Sequence, residues 1–253
     1  MKTTSRNTLR PDWRHVAPAL LACAAALSAP AAQADVIDFE QIVSHSSQAD
    51  SSVYLGGDTF STNGFLAEVA DSDYVQSFPD YEPGLAGATV AESEYTCTRL
   101  ACPPPLSQYY AGLNDGSLTL SRGDASAFRV SALSFGAIAP RDANELLPFG
   151  QLRITGTRLD GSTLTAATDF PALYDWSEWT LNSTFAATVF TRITIDACTY
   201  TAASECLNGE DMLNLSQFAL DDVHVSAVPE PSTVVLLTAG LLLVAARRLG
   251  GRA

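Results

Sequence analysis

Four carboxylates near the two ends of the chain have the chemistry to bind a divalent cation. Asp38 and Glu40 lie in the alternating run Val36–Glu40, and Asp221 and Asp222 lie in the run Phe218–Val225. If these two stretches form neighbouring strands, the carboxylates repel one another unless a cation lies between them. Calcium binds about six to eight oxygen ligands and often mixes carboxylates with carbonyl groups. The four residues therefore predict a structural calcium, the one cofactor that the sequence offers.

A second interpretation of these acids stays open, in which they face solvent on alternating strands. Neighbouring side chains on a strand point to opposite faces of the sheet. Because Asp221 and Asp222 are adjacent in the sequence, a regular strand brings only one of them to a site shared with Asp38 and Glu40.

Two tryptophans three residues apart, Trp176 and Trp179, have the chemistry to bind a sugar. Side by side on a loop, their rings form a flat platform on which the C–H faces of a saccharide can stack. In the alternative interpretation, one ring packs in the core and the other covers a sheet edge, as aromatic residues more often do. The platform predicts extracellular polysaccharide as a partner.

Five cysteines occur in the chain, and one of them, Cys23, lies in the apolar N-terminal segment. The other four form two close pairs, Cys97 with Cys102 and Cys198 with Cys206. An even number in an exported chain predicts disulfides, and bridges within each pair are the simplest of three pairings. A four-cysteine zinc site is the alternative, but four and seven intervening residues fit poorly with the usual spacing of about two to four.

No catalytic residues are predicted, and the chain is not expected to be an enzyme. Beyond the N-terminal segment its only histidines are His45, in a serine-rich stretch, and His224, between two valines. The motifs Gly-x-Ser-x-Gly and His-Glu-x-x-His are absent from the sequence. A secreted glycosidase would need a specific pair of carboxylates, and nothing nominates one among so many acidic residues.

Short runs that alternate apolar with polar residues must position these groups. They are rich in β-branched and aromatic residues: Val36–Glu40, Leu118–Leu120, Phe128–Phe135, Leu152–Thr155, Phe190–Ile195 and Phe218–Val225. The pair Asp160-Gly161 predicts a hairpin turn. Many short strands predict one all-β sandwich or jelly roll with only peripheral helices. Two stretches rich in turn-forming residues, 44–58 and 74–105, are predicted to be surface loops.

The segment 35–228 is strongly acidic. It holds 26 acidic and seven basic residues, a formal charge of −19, and it contains no lysine. Binding to nucleic acid requires basic side chains that displace counterions from phosphates. The charge therefore excludes nucleic acid as a partner and favours a soluble body, divalent cations or a carbohydrate matrix.

The chain ends carry transport signals on either side of this single predicted domain. Residues 1–34 have the basic start, apolar middle and small-x-small end of a secretory signal peptide, with cleavage before Asp35. Residues 229–253 combine Pro229-Glu230-Pro231, an apolar run over 232–246 and a basic end that includes Arg247 and Arg248. The run is short for a membrane span, but flanking arginines can reach the membrane surface. A buried helix and a plain tail anchor are the alternatives.

The C-terminal tail resembles the PEP-CTERM sorting signal of Gram-negative bacteria. That resemblance implies a precursor anchored in the inner membrane by its tail, with the secretion machinery and an exosortase as partners. It also implies a final place at the cell surface or in an exopolysaccharide matrix, as in a biofilm. The strands at the two ends of the body resemble those of jelly-roll carbohydrate-binding modules. The sequence thus predicts an exported structural protein, with a carbohydrate-binding adhesin as the alternative function and a secreted glycosidase as a less favoured one.

Overall fold

Alternating burial follows the alternating sequence in most strands. In the strand Gly150–Thr157, every second side chain is buried, and the strand Phe65–Ala70 shows the same pattern. Apolar residues at every second position line one face of a strand, so packing that face against a second sheet removes them from water.

The computed structural model describes residues 34–45, 47, 52–91, 97, 100–104, 107–140, 150–200, 205–207, 216–228 and 240. Two short helices lie within them, α1 (Asp73–Gln76) and α2 (Ser183–Ala187). The strands in the described residues are β1 (Ala34–Ile37), β2 (Ile42–His45), β3 (Val53–Leu55), β4 (Thr59–Thr62), β5 (Phe65–Ala70), β6 (Leu85–Val90), β7 (Leu100–Ala101), β8 (Tyr109–Gly112), β9 (Ser117–Arg122), β10 (Phe128–Pro140), β11 (Gly150–Thr157), β12 (Thr163–Asp169), β13 (Ser177–Thr180), β14 (Arg192–Tyr200), β15 (Cys206–Leu207) and β16 (Gln217–Ala227).

The strands form two antiparallel sheets. Sheet A has the order β13-β10-β16-β8-β6-β3, with β1 beside β16 and β7 beside β10. Sheet B has the order β12-β11-β14-β9-β5-β4-β2, with β15 beside β14. Consecutive strands from β8 to β11 alternate between the two sheets, which confirms the predicted all-β sandwich of jelly-roll type.

The main core lies between the sheets and contains many aromatic rings. The rings of Phe39, Phe60 and Tyr110 lie within 6.4 Å of one another, centroid to centroid. The ring of Phe218 covers Gly112, where a β-carbon would collide with it. The glycine therefore provides the space that the large ring fills.

A second apolar cluster covers the outer face of sheet A. Ala88, Tyr109, Ala111, Ile138 and Ala219 are buried there, and partly buried side chains pack over them. The central strands of sheet A are thus buried on both faces, and apolar burial of this extent is the main source of stability in a domain.

The stretch 74–105 is not the surface loop that its composition predicts, because it contains β6 and β7. Strand β6 lies between β3 and β8 in sheet A, and all its residues except Leu85 are buried. Its small residues hide it from sequence analysis, since Ala86 packs in the main core while Ala88 and Val90 pack in the outer cluster. The stretch 44–58 likewise contains β3 and the end of β2.

Three local predictions are confirmed. Strands β11 and β12 form a hairpin whose turn places Gly161 at a positive φ of 83°. The first and last strands, β1 and β16, are antiparallel neighbours, with Ile37 opposite Val223. Disulfides join Cys97 to Cys102 and Cys198 to Cys206.

The predicted signal peptide and sorting tail lie almost wholly outside the described residues. Ala34 belongs to β1, and Gly240 is the one described residue beyond Val228. In the described part of the chain, no helix has the length and apolar character needed to cross a membrane. Signal cleavage before Asp35 and a membrane span over 232–246 stay predictions.

Candidate functional site

The four predicted calcium ligands lie near the junction of β1 and β16. Strand β1 ends at Ile37, so Asp38 and Glu40 lie just beyond it in a turn in which the Glu40 N–H donates to Asp38 Oδ1 (3.2 Å). The backbone N–H of Gln108 donates to Glu40 Oε1 (2.8 Å). The Ser107 hydroxyl donates to Asp221 Oδ2 (2.9 Å). Residues 107 and 108 therefore bridge the acids from the two chain ends.

The alternation expected for Asp221 and Asp222 is interrupted by a β-bulge. Asp222 has a positive φ of 46°, and the pairing of β16 with β10 shifts register there. Leu220 and Val223 consequently both face the main core although they are three residues apart. The bulge keeps both carboxylates out of that core, so the expectation that a regular strand brings only one of them to a shared site does not apply at this irregular position.

Burial is the main cause of a shifted pKa at Asp221. Burial and, to a smaller extent, the negative charges of Asp222 and Asp38 raise the pKa of this carboxyl from its ordinary value to about 6. The hydrogen bonds from Ser107 and from the Asp222 N–H act in the opposite direction. Asp221 is thus a buried acid whose charged form is destabilised by the negative charges of Asp222 and Asp38.

The described residues around Asp38, Glu40, Asp221 and Asp222 do not form a preformed calcium site. Among the described residues, no three acidic, histidine or cysteine side chains converge in a way that could hold a metal ion. Glu40 binds a backbone N–H and Asp221 binds a hydroxyl, so both already have protein partners. Calcium at these residues stays a prediction.

The two tryptophans do not form one platform. Trp176 packs on the outer cluster of sheet A, edge-on to Tyr109, and its indole N–H donates to Pro104 O (2.9 Å). Trp179 lies in β13 and packs against the main core near Phe135. The rings belong to opposite faces of sheet A, because side chains alternate along an extended chain and positions 176 and 179 are an odd number of residues apart. A joint platform is therefore wrong, while glycan binding by either ring stays a prediction.

A polar cleft lies on the outer face of sheet B, and sequence analysis did not identify it. Its volume is about 540 Å³. Its floor comes from β9, β11 and β14, and the segment before and within α1 contributes a wall. Its lining residues are Asp71, Ser72, Asp73, Tyr74, Asp115, Ser117, Arg153, Thr194, Asp196 and Cys206.

An ion pair lies on the floor of this cleft. Arg153 of β11 is directly opposite Asp196 of β14, and its Nε donates to Asp196 Oδ1 (2.7 Å). The two side chains are 32% and 26% exposed. Desolvation raises the pKa of Asp196 and the negative charge of Asp73 adds to this, whereas Arg153 lowers it.

Two further acids of the cleft have structural roles. Asp71 Oδ2 accepts hydrogen bonds from the Tyr81 hydroxyl (2.5 Å) and the Gly84 N–H (3.1 Å), which ties the chain after α1 back to the sandwich. Asp115 Oδ1 accepts from the Ser216 N–H (2.7 Å). These bonds hold the walls of the cleft in place.

Hydroxyl groups continue across the sheet from the cleft. One row of directly paired outward residues contains Thr119, Thr194, Thr155 and Thr165. Thr119 and Thr194 share a hydrogen bond (2.9 Å), and so do Thr155 and Thr165 (3.0 Å). These threonines are half-buried or exposed, in contrast to the covered outer face of sheet A.

The signal for the cleft was present in the sequence but weak. Arg153 is one of seven arginines in the acidic body, and it occupies a polar position in the run Leu152–Thr155. Asp196 follows the run that ends at Ile195. Only the pairing of β11 with β14 brings the two together, since they are 43 residues apart.

Comparison with known proteins confirms the resemblance of the tail. Residues 227–249 match the PEP-CTERM protein-sorting motif. The match begins at the last residue of β16 and includes Pro229, Glu230, Pro231, Arg247 and Arg248, all of which lie outside the described residues. Exported proteins carry this motif as a C-terminal sorting tail. No curated protein matches the chain significantly.

Among solved structures, the fold is similar to three proteins at low sequence identity. TmCBM61, solved with β-1,4-galactotriose, is 11% identical, with 64% of this chain and 88% of that chain covered and a TM-score of 0.33. A DUF4465 family protein from Bacteroides ovatus is 10% identical, with 78% and 100% covered and a TM-score of 0.35. The family 32 CBM from C. perfringens NanJ, solved with galactose, is 12% identical, with 64% and 93% covered and a TM-score of 0.29. At these scores the similarity carries no inference about a ligand.

Proposed function

We propose that the chain is an exported structural protein of the cell surface or extracellular matrix, processed by an exosortase at its C-terminal tail. The observation that carries this proposal is the PEP-CTERM match over residues 227–249. The body is a disulfide-containing β-sandwich, and disulfides persist in oxidising compartments outside the cytosol. A role outside the cytosol agrees with both features.

The junction between body and tail suits proteolytic processing. Strand β16 ends at Ala227, and the Val228 N–H still donates to Ala127 O (3.3 Å). Pro229 and Pro231 follow at once, and proline fixes φ and lacks a backbone donor. Such a sequence disfavours a continued strand ladder, and the Pro-Glu-Pro sequence therefore predicts an extended segment that a protease can reach.

Intact-mass analysis of the mature protein tests this proposal. In cells with the exosortase, we expect a mass that lacks residues 1–34 and the part after Pro-Glu-Pro. In exosortase-deficient cells, or with Glu230→Gln, the tail should remain and the protein should stay in the inner-membrane fraction. Glu82→Gln, at an exposed position in the body, is the matched control and should be processed normally. A mass that keeps the full tail both with and without the exosortase would indicate a plain membrane anchor.

A further inference from the structure

Several side chains of the polar cleft of sheet B have donors or acceptors that make no hydrogen bond with the described residues. Arg153 uses Nε for Asp196, and its two Nη groups donate to no residue that the structure describes. The side chains of Asp73, Tyr74 and Ser117 likewise make no hydrogen bond within the described ranges. Donors and acceptors therefore face the same space, and a ligand must provide both to satisfy them.

The charge of the cleft selects against anions. Four carboxylates against one guanidinium leave a formal charge of −3 on the lining. The single guanidinium is already neutralised by Asp196 at 2.7 Å. A uronate, sulfate or phosphate would therefore meet net repulsion, because the described lining residues include no second cation to pair with it.

A bare metal ion is also a poor match for this cleft. In the described part of the chain, no group of three acidic, histidine or cysteine side chains is placed to hold one. Arg153 lies on the floor beside Asp196, where its positive charge would repel a cation. Asp71 and Asp115 hold the walls through hydrogen bonds that a metal ligand would have to give up.

Neutral hydroxyl groups match the cleft best. Each hydroxyl is one donor and an acceptor, so adjacent hydroxyls on a sugar ring can accept from the Arg153 Nη groups and donate to Asp196 or Asp73. The ring of Tyr74 on the wall provides an apolar surface for the C–H face of the same sugar. The volume of about 540 Å³ is within the range of about 300–1,000 Å³ of small-molecule sites.

We propose that this cleft binds a neutral saccharide, with Arg153 and Asp196 contacting adjacent hydroxyls and Tyr74 contacting the ring face. The site is distinct from Trp176 and Trp179, which lie on sheet A. This saccharide-binding proposal goes beyond the sorting function and does not depend on how the tail is processed. An experiment can therefore disprove either proposal without affecting the other.

Calorimetric titration of the exported, disulfide-intact protein tests the site. The probes are neutral tetrasaccharides of glucose and of mannose, with tetragalacturonate as the anionic comparison. We expect at least one neutral probe to bind and tetragalacturonate to bind at least tenfold more weakly. Failure of both neutral probes, or equal binding of tetragalacturonate, would overturn the proposal.

Matched variants then locate the binding. Arg153→Lys keeps the charge but loses the planar fork of donors, and we expect at least a tenfold loss of affinity. Arg158→Lys, in the turn between β11 and β12, should bind as wild type does. If Arg153→Lys does not fold, Tyr74→Ala serves instead, with the exposed Tyr174→Ala as its control. Equal losses in a cleft variant and its control would place binding elsewhere and overturn the assignment.

Discussion

The outer faces of the two sheets differ in what covers them. Sheet A carries an apolar cluster that includes Cys102, with Trp176, Cys97 and Leu100 packed against it, and Tyr109 is fully buried in it. Sheet B carries threonines in a row across its strands and a polar cleft with an ion pair. Both sheets contribute side chains to the main core between them, so the contrast described here lies in the outward residues.

This difference separates stability from binding. A residue on the covered face excludes water and contributes apolar burial. A residue on the open face contributes little to stability but remains accessible to a ligand. We therefore expect substitutions on sheet A to change the free energy of unfolding, and substitutions in the cleft of sheet B to change binding.

The largest effect is expected at Tyr109. Truncating a large buried aromatic side chain costs about 3–5 kcal/mol, so Tyr109→Ala should lower the free energy of unfolding by that amount. Its ring packs edge-on to Trp176 with centroids 5.2 Å apart, and Cys97 Sγ lies 3.3 Å from its hydroxyl. Urea unfolding followed by tryptophan fluorescence measures the change. A loss under about 1 kcal/mol would mean that the outer cluster is not a stabilising core.

Removing a disulfide is expected to have the next largest effect on the free energy of unfolding. One disulfide lies at the outer face of each sheet, so the two variants also test the contrast between those faces. The bridges span five and eight residues, and closing such short loops contributes about 2 kcal/mol each in the chain-entropy model. Double serine variants of Cys97/Cys102 and of Cys198/Cys206 should lose similar stability in thermal unfolding. Cys206 lines the cleft, so only the second variant should also weaken saccharide binding. Equal saccharide affinity of the two double variants would contradict the assignment of the saccharide site to the cleft.

Asp221, at the bulge of sheet A, should make stability depend on pH. Its folded pKa of about 6 exceeds the ordinary value of 3.8, so the folded state holds this proton more tightly than the unfolded state does. The associated stability is fully present below about pH 4 and is lost as pH rises through about 6, by about 1–2 kcal/mol after allowance for solvent screening.

Asp221→Asn should remove this dependence, and urea unfolding at pH 4, 5, 6 and 7 measures it. Asp124→Asn is the matched control, because hydrogen bonds from Arg122 and Ser126 and the positive charge of Arg122 lower the pKa of that exposed carboxyl. Repeating the series with calcium and with EDTA tests the predicted metal site. A bound calcium would stabilise the charged form of Asp221, so the free energy of unfolding would then rise with pH instead of falling. If its pH dependence is the same with calcium and with EDTA, calcium does not bind at Asp221.

The smallest effect is expected on the open face of sheet B. Thr155→Val removes one hydroxyl that bonds to Thr165 at 3.0 Å and keeps a β-branched side chain. We expect a change within about 0.5 kcal/mol, as is usual at surfaces, with unchanged saccharide binding. Thermal unfolding and titration with the neutral probe check both. A loss above about 1 kcal/mol would show that this face is part of the stabilising core after all.

The sequence by itself determined the features that depend on short-range pattern. Alternation along Leu152–Thr155 and Phe190–Ile195 predicts strands because a side-chain period of two can bury only one face. Cysteines close in sequence pair locally, since few other partners are within reach. The order of proline motif, apolar run and arginines identifies the tail without any knowledge of the body.

Only the tertiary structure decided which polar residues meet and which faces are covered. Strand β6 escaped prediction because a strand buried on both faces with small residues shows no alternation. The bulge at Asp222 puts Asp221 and Val223 on opposite faces, whereas a regular strand would put them on the same face, and no local pattern marks it. Arg153 and Asp196 meet because β11 pairs with β14 in one register. Contacts between residues far apart in sequence are set by the packing of the whole sandwich, which is why the cleft became visible only in the folded chain.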